Sequence, residues 1–251
     1  MSAGEIVAIA LAGMAAGTIN TVVGSGTLIT FPVLLAFGYA PVTANISNTI
    51  GLVPGSVSGA IGYRRELSGQ RGRALRLGVA SLLGGITGAV LLLVLPASTF
   101  KAIVPAFIAI ALVLALAQPA LNRRLAHHVA GGARRVSVLL PVAVYVTGVY
   151  GGYFGAGQGI ILLAILGVAL PQSLHDSNAL KNVLAGLVNG VAGVYFVFAA
   201  NVRWGPAAII AGSSILGAQL GARYGRRLPP DALRALIVLV GVAAIVRLLT
   251  E

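Results

Sequence analysis

The chain alternates long apolar runs with short breaks of glycine, proline or charged residues. We mark off ten runs, most of them near the ~20 residues that a helix needs to cross a bilayer. Lipid admits only helices or closed barrels, and the period-2 pattern of a barrel is absent, so every run is expected to be helical. The predicted segments are 5–24, 26–39, 43–63, 75–95 and 101–118, then 137–155, 157–170, 174–198, 205–222 and 231–249.

The two sets of five segments indicate an internal repeat. Three glycines of the first half recur in the second at a constant offset of 131 residues. They are Gly17, Gly24 and Gly26, followed by Gly148, Gly155 and Gly157. After a one-residue slip, Pro41 recurs as Pro171, and the Ser-Asn pair at 47–48 recurs at 177–178. Chance similarity is the alternative, because small residues are common in membrane helices.

The repeat predicts an all-α, polytopic helix bundle with a first transmembrane repeat at 1–118 and a second at 137–251. A basic cytoplasmic linker at 119–136 joins them. Each repeat has about five segments, including a short glycine-broken helix.

Loop charges predict that the two halves are inverted. In the first half the loop after the third segment is basic, whereas in the second half the loop after the fourth segment is basic. Because cytoplasmic loops collect Lys and Arg, equivalent loops face opposite sides of the membrane. Inversion requires an odd number of crossings per half, met by five and five or by three and three with re-entrant hairpins. Both termini are then expected on the periplasmic side of an inner membrane.

Segments 26–39 and 157–170 are unusual because each has about 14 residues, or ~21 Å of helix, which is less than the hydrocarbon core. Each follows a glycine-rich break, and short broken segments at matching positions of two halves indicate a transporter's binding site. Glycine permits unwound backbone, which survives at membrane depth only where it lines a cavity. The start of each half-helix also presents free N–H groups that suit an anion.

Polar residues gather around these breaks and on the third segment of each half. We expect them to face the protein interior and to bind a substrate between the two breaks; hydrogen bonding between helices is the alternative. The candidate binding residues are Asn20, Thr21, Gly24, Ser25, Gly26, Thr27, Asn48, Gly155, Gly157, Gln158, Gly159, Asn178, Lys181 and Asn182.

Lys181 is the one basic residue well inside an apolar run. A buried charge in a membrane is costly, which suggests that its ammonium neutralises an anionic substrate. Alternatively, the Lys181 side chain extends to the cytoplasmic surface. Asp176 is expected in the first turn of the same helix, where an acid suits the helix dipole. Proton coupling is the alternative for this carboxylate.

Charge and composition exclude several function classes. The net charge of +12 comes with only 9% charged residues, and 13 of the 17 Lys and Arg residues fall in or beside three loops. These arginines are expected to set topology and to meet anionic lipid headgroups. Nucleic-acid binding is not expected, since no motif supports it. The chain has no cysteine, and no metal, cofactor or catalytic motif is visible, so it is not expected to be an enzyme.

The first break and its continuation, Gly17-Thr-Ile-Asn-Thr-Val-Val-Gly-Ser-Gly-Thr-Leu-Ile-Thr-Phe-Pro32, resemble the sulfite exporter TauE/SafE family, as does the later Ser47-Asn48 pair. The second-half Gly152-Tyr-Phe-Gly-Ala-Gly-Gln-Gly159 is similar to that family's second signature. Thr27 and Gln158 stand where family members often carry further glycines, a departure that bears on substrate preference.

The resemblance covers nearly the whole chain and implies export of small sulfur-containing anions, such as sulfite or organosulfonates, across the inner membrane. With the repeat, it predicts a secondary transporter that works by alternating access. A passive anion channel and a non-transporting scaffold subunit remain as alternatives. The oligomeric state is not readable from the sequence.

Overall fold

The structure is a computed structural model that describes residues 1–128, 139–170, 172–225 and 230–250. This part of the chain folds into ten α-helices. The first five are α1 (Ala3–Val22), α2 (Thr27–Ala36), α3 (Pro41–Gly62), α4 (Arg71–Val94) and α5 (Ala97–His128). The others are α6 (Leu139–Tyr153), α7 (Gln158–Ala169), α8 (Leu174–Ala199), α9 (Trp204–Tyr224) and α10 (Pro230–Thr250).

The helices confirm the polytopic all-α fold. Among the described residues, five helices are long and apolar enough to cross a membrane, namely α1, α4, α5, α8 and α9. Helix α3 also has 22 residues, but its buried asparagines and serines lower its hydropathy. Large apolar side chains such as Val113 and Phe198 point outwards, as expected of a surface that lipid covers.

The prediction for the fifth segment is wrong at its C-terminal end. Helix α5 continues past residue 118 to His128, so the first part of the predicted linker is helical. Pro119 lies inside the helix without ending it, and the Leu, Arg and Ala residues that follow are strong helix formers. The rest of that linker, with Arg134 and Arg135, lies outside the described residues, as do Pro171, Arg226 and Arg227.

Close helix packing in the two halves uses the same kind of contact. Helix α1 packs against α9, and helix α4 packs against α6, which are equivalent pairs under the predicted repeat. Glycines bring each pair together: a Cβ on Gly17 would lie 2.9 Å from the Cα of Ser214, and one on Gly148 would lie 2.9 Å from the carbonyl oxygen of Ser81. Small residues at helix interfaces are typical of membrane bundles.

Two further pairs of contacts follow the repeat. When each helix is replaced by its equivalent in the other half, the α3–α9 contact becomes the α4–α8 contact and the α2–α10 contact becomes the α5–α7 contact, and all four are present. The contacts therefore agree with a two-fold repeat. The inversion of the halves and their limits along the chain stay predictions.

The two short helices each return to the end of the bundle from which their hairpin starts. Tyr39, which follows α2, donates a 2.6 Å hydrogen bond to Glu5 near the start of α1. Helix α6 runs parallel to α4, and after α7 the side chain of Gln172 accepts a 2.9 Å hydrogen bond from Arg73 at the start of α4. In the described part of each half, the first and last residues of the hairpin thus lie at the same end of the bundle, as in the re-entrant alternative.

The bundle has an arginine-rich end, which we define by Arg64, Arg65, Arg71, Arg73 and Arg223. The ends of α3 and α9 meet there, since a Cβ on Gly62 would touch the side chain of Ala222. The N-terminus lies at the opposite end, where Glu5 contacts Tyr39.

Candidate functional site

The first hairpin breaks where the sequence predicts it. Helix α1 ends at Val22, and Gly24 has a φ of 90°, a left-handed conformation that glycine adopts without steric cost. Gly26 is the N-cap of α2, and Thr27 begins that helix.

The second hairpin breaks at the equivalent point. Helix α6 ends at Tyr153, and the next two glycines of the motif, Gly155 and Gly157, have φ values of 79° and 74°. The Tyr150 hydroxyl donates to the carbonyl oxygen of Ala156 and so bridges the break. Sequence reasoning missed this tyrosine.

The two breaks touch each other. The Gly159 N–H, at the start of α7, donates a 3.0 Å hydrogen bond to the Gly24 carbonyl oxygen. A Cβ added to Gly24 would lie 2.5 Å from the Gly159 Cα, closer than real Cβ contacts allow. The structure therefore brings the two predicted motifs together, with backbone against backbone.

Polar side chains of α8 cap the carbonyl end of α1. Lys181 is 0% exposed, and its Nζ donates to the carbonyl oxygens of Asn20 at 3.1 Å and Thr21 at 3.4 Å. The amide groups of Asn178 and Asn182 donate to the same Thr21 oxygen, at 3.2 and 3.3 Å. The ammonium lies at the negative end of the α1 dipole and does not extend to the surface.

Helix α3 does the same for the other hairpin. The Asn45 amide donates a 2.9 Å hydrogen bond to the Tyr153 carbonyl oxygen at the end of α6. The third helix of each half thus caps the broken helix of the other half. Asn45 is one of the polar residues of the third segment, and no feature of the sequence distinguishes it from its neighbours.

Within the first half, Asn48 binds the start of α2. Its amide nitrogen donates to the Thr27 hydroxyl at 3.2 Å, and its amide oxygen accepts from the Thr30 hydroxyl. Thr30 was not predicted as a site residue, although it lies three residues after Thr27 on the same face of α2.

The side chains of other predicted site residues do not reach the backbones of Gly24 and Gly159. The Thr21 hydroxyl donates to Gly17 within its own helix. The Gln158 side chain packs against Gly151. Three buried polar atoms of the predicted set have no hydrogen-bond partner: Ser25 Oγ, Gln158 Nε2 and Asn178 Oδ1. Buried polar atoms are normally paired, so these three have capacity for a ligand.

Asp176 lies in the first turn of α8, as expected. Its carboxylate accepts a 2.8 Å hydrogen bond from the Ser173 hydroxyl, which in turn accepts from the Asp176 N–H at 3.1 Å. This geometry is that of a helix N-cap. Proton coupling by Asp176 remains a proposal.

Comparison with known proteins gives a consistent result. The family model described as sulfite exporter TauE/SafE matches residues 9–248. A probable membrane transporter protein of a Sinorhizobium species is 30% identical over 245 residues, covering 96% of this chain and 91% of the relative. One from Escherichia coli is 25% identical over 242 residues, covering 95% and 87%, and one from Haemophilus influenzae is 26% identical over 231 residues, covering 91% and 88%. No solved structure gives a significant match.

Proposed function

The chain belongs to the sulfite exporter TauE/SafE family of membrane transporters, and on this premise we propose that it exports small sulfur-containing anions such as sulfite or organosulfonates. Transport is secondary and crosses the inner membrane by alternating access. The substrate occupies the region where the two breaks meet, beside Lys181.

The observation that carries the proposal is the surplus of hydrogen-bond donors at the end of α1. An ammonium has three N–H donors and an amide nitrogen has two, whereas a carbonyl oxygen has two lone pairs. Three side chains share the single Thr21 oxygen, and only Lys181 also reaches Asn20. Sulfite and sulfonates carry several acceptor oxygens on one centre, so they can use the donors that the carbonyls leave over.

The charge of Lys181 favours the same class of ligand. The hydrogen bonds of its fully buried ammonium go to two backbone carbonyl oxygens, those of Asn20 and Thr21. A charge buried in a membrane protein needs a partner, and the helix carbonyls supply only partial negative charge. An anionic substrate would supply a full one.

Binding at this place requires the breaks to separate. The Gly24–Gly159 contact leaves no room for a ligand between the two backbones. Because α8 caps α1 while α3 caps α6, a movement of one half against the other changes both ends of the contact. We propose that this movement exposes the site alternately to the two sides, with the arginine-rich end cytoplasmic, bound to anionic lipid headgroups, and both termini periplasmic.

The test is flux of radiolabelled sulfite in proteoliposomes. A carrier shows saturation with sulfite concentration, whereas a passive channel shows linear flux and a scaffold subunit shows none above empty liposomes. Gly155 has a φ of 79°, and a Cβ added to it would lie 2.9 Å from the Gly151 carbonyl oxygen. The Gly155→Leu variant should therefore abolish flux. Gly72→Leu, which has open space around it, is the matched control and should not. Normal flux in Gly155→Leu would remove the second break from the site.

A further inference from the structure

A cavity of about 250 Å³ lies between α1, α3, α7, α8 and α9. Val22, Tyr63 and Gly225 line it from the ends of α1, α3 and α9, and Leu163, His175 and Asn178 line it from α7 and α8. The ends of α3 and α9 belong to the arginine-rich end, so the mouth of the cavity faces that end. The cavity lies beside the proposed site, since Asn178 belongs to both.

The inner end of the cavity reaches the proposed site. Asn178 is 8% exposed, and its Oδ1 is buried without a hydrogen-bond partner. Its Nδ2 donates to the Thr21 oxygen, which also accepts from Lys181. Asn178 and Lys181 are three residues apart and therefore lie on one face of α8. A ligand that fills the cavity is thus one helical turn from the buried ammonium.

Aromatic side chains pack between the second break and the start of α5, on the side of the site that faces the opposite end of the bundle. Phe31 of α2, Phe100 at the start of α5 and Phe154 in the second break are each at most 2% exposed. Their ring centroids are 6.4 Å apart for Phe31–Phe100, 5.1 Å for Phe31–Phe154 and 5.9 Å for Phe100–Phe154. Phenyl rings offer no hydrogen-bond donor to an anion.

We infer that this cavity is the passage by which an anion reaches Asn178 and Lys181 from the arginine-rich end, while Phe31, Phe100 and Phe154 close the path to the opposite end. The inference rests on the proposed function. His175, exposed at the mouth, is a polar side chain that the anion meets before Asn178.

The absence of cysteine makes the chain a ready background for single-cysteine labelling. Asn178→Cys and Leu163→Cys place thiols inside the cavity from two different helices. Ser68→Cys marks the arginine-rich end, and Ser98→Cys marks the opposite end, since both serines are exposed. A membrane-impermeant maleimide is applied separately to right-side-out and inside-out vesicles, and the two marker thiols report which face it reaches.

The passage requires both cavity thiols to react from the face that labels Ser68→Cys and not from the face that labels Ser98→Cys. His175→Trp, which narrows the mouth, should slow labelling of Asn178→Cys about tenfold, equal to ~1.4 kcal/mol in the barrier, and leave labelling of Ser68→Cys unchanged. Reaction of the cavity thiols from the Ser98→Cys face, from both faces or from neither overturns the passage.

Labelling uses no substrate, so it separates the two proposals. Absence of sulfite flux in the wild type would refute the proposed function and leave the labelling result standing. In the flux assay, His175→Ala should raise the KM for sulfite supplied at the arginine-rich end with little change in kcat, while Ser68→Ala should change neither. An unchanged KM in His175→Ala would remove this histidine from the passage.

Discussion

Substituting Gly159 by alanine tests the contact between the two hairpins. A methyl group at this position points at the Gly24 residue, where it would lie 2.9 Å from the carbonyl oxygen and 3.1 Å from the carbonyl carbon, and closer still to the Cα. These atoms are backbone and cannot rotate away as a side chain would. One of the two hairpins therefore has to move.

The expected cost follows from the kind of overlap. Forcing an extra methyl into close-packed structure costs about 1–3 kcal/mol, and we assign this range to Gly159→Ala. Gly24→Ala makes the same overlap from the other side and also places a non-glycine residue at a φ of 90°, which adds about 1–3 kcal/mol. Gly190 of α8 has no atom within 4 Å of an added Cβ, and alanine there should be stabilising by about 0.5–1 kcal/mol.

The assay is thermal unfolding of the purified protein in detergent, followed by the fraction that stays monodisperse. We expect the lowest midpoint for Gly24→Ala, then Gly159→Ala, then the wild type, with Gly190→Ala at or above the wild type. If Gly159→Ala is as stable as Gly190→Ala, the two breaks do not touch in the protein, and the site has to be rebuilt without that contact.

Three further predictions concern groups around the site and at the bundle ends. Asn45→Leu leaves the buried Tyr153 carbonyl unpaired and should lower stability by about 1–3 kcal/mol in the same unfolding assay; no loss would remove this cap. Asp176→Asn should cost about 0.3–1 kcal/mol as a helix cap and leave the pH profile of sulfite flux unchanged; a lost pH dependence would instead assign proton coupling. Burial, then the bond to Glu5, raises the pKa of Tyr39 from 10.0 to about 12. The neutral phenol therefore stabilises the fold below pH 10, and this stabilisation is lost as the pH rises through 12. The difference in unfolding free energy between the wild type and Tyr39→Phe should therefore be constant around neutral pH.

Much of the fold is predictable because lipid leaves the chain few choices. Apolar run length marks the helices, and the left-handed glycines at 24, 155 and 157 fall within the predicted breaks. The end of α5 was missed because a helix that leaves the bilayer loses the apolar signal but keeps residues with good helix propensity. Loop charges report only that each half has an odd number of crossings, so they do not distinguish five crossings from three crossings with a hairpin.

The site was less predictable because its contacts are made by backbone atoms. Lys181 stands out in the sequence, but its partners are the carbonyl oxygens of Asn20 and Thr21, and no side-chain pattern indicates which carbonyls a lysine will reach. The exchange of caps between halves depends on how α3 and α8 pack, which is a tertiary property. The same holds for Phe31, Phe100 and Phe154, which are far apart along the chain and meet only after folding.

Equilibrium binding of radiolabelled sulfite to purified Lys181→Met protein tests the central claim most directly. Methionine fills a similar volume without charge. The Asn20 carbonyl oxygen loses its Lys181 donor, so the variant should lose about 1–3 kcal/mol of stability, and binding is measured well below its unfolding midpoint. Lys101→Met, at an exposed lysine at the start of α5, is the matched control. The account predicts saturable binding in the wild type and in Lys101→Met and none in Lys181→Met; unchanged binding in Lys181→Met would contradict it.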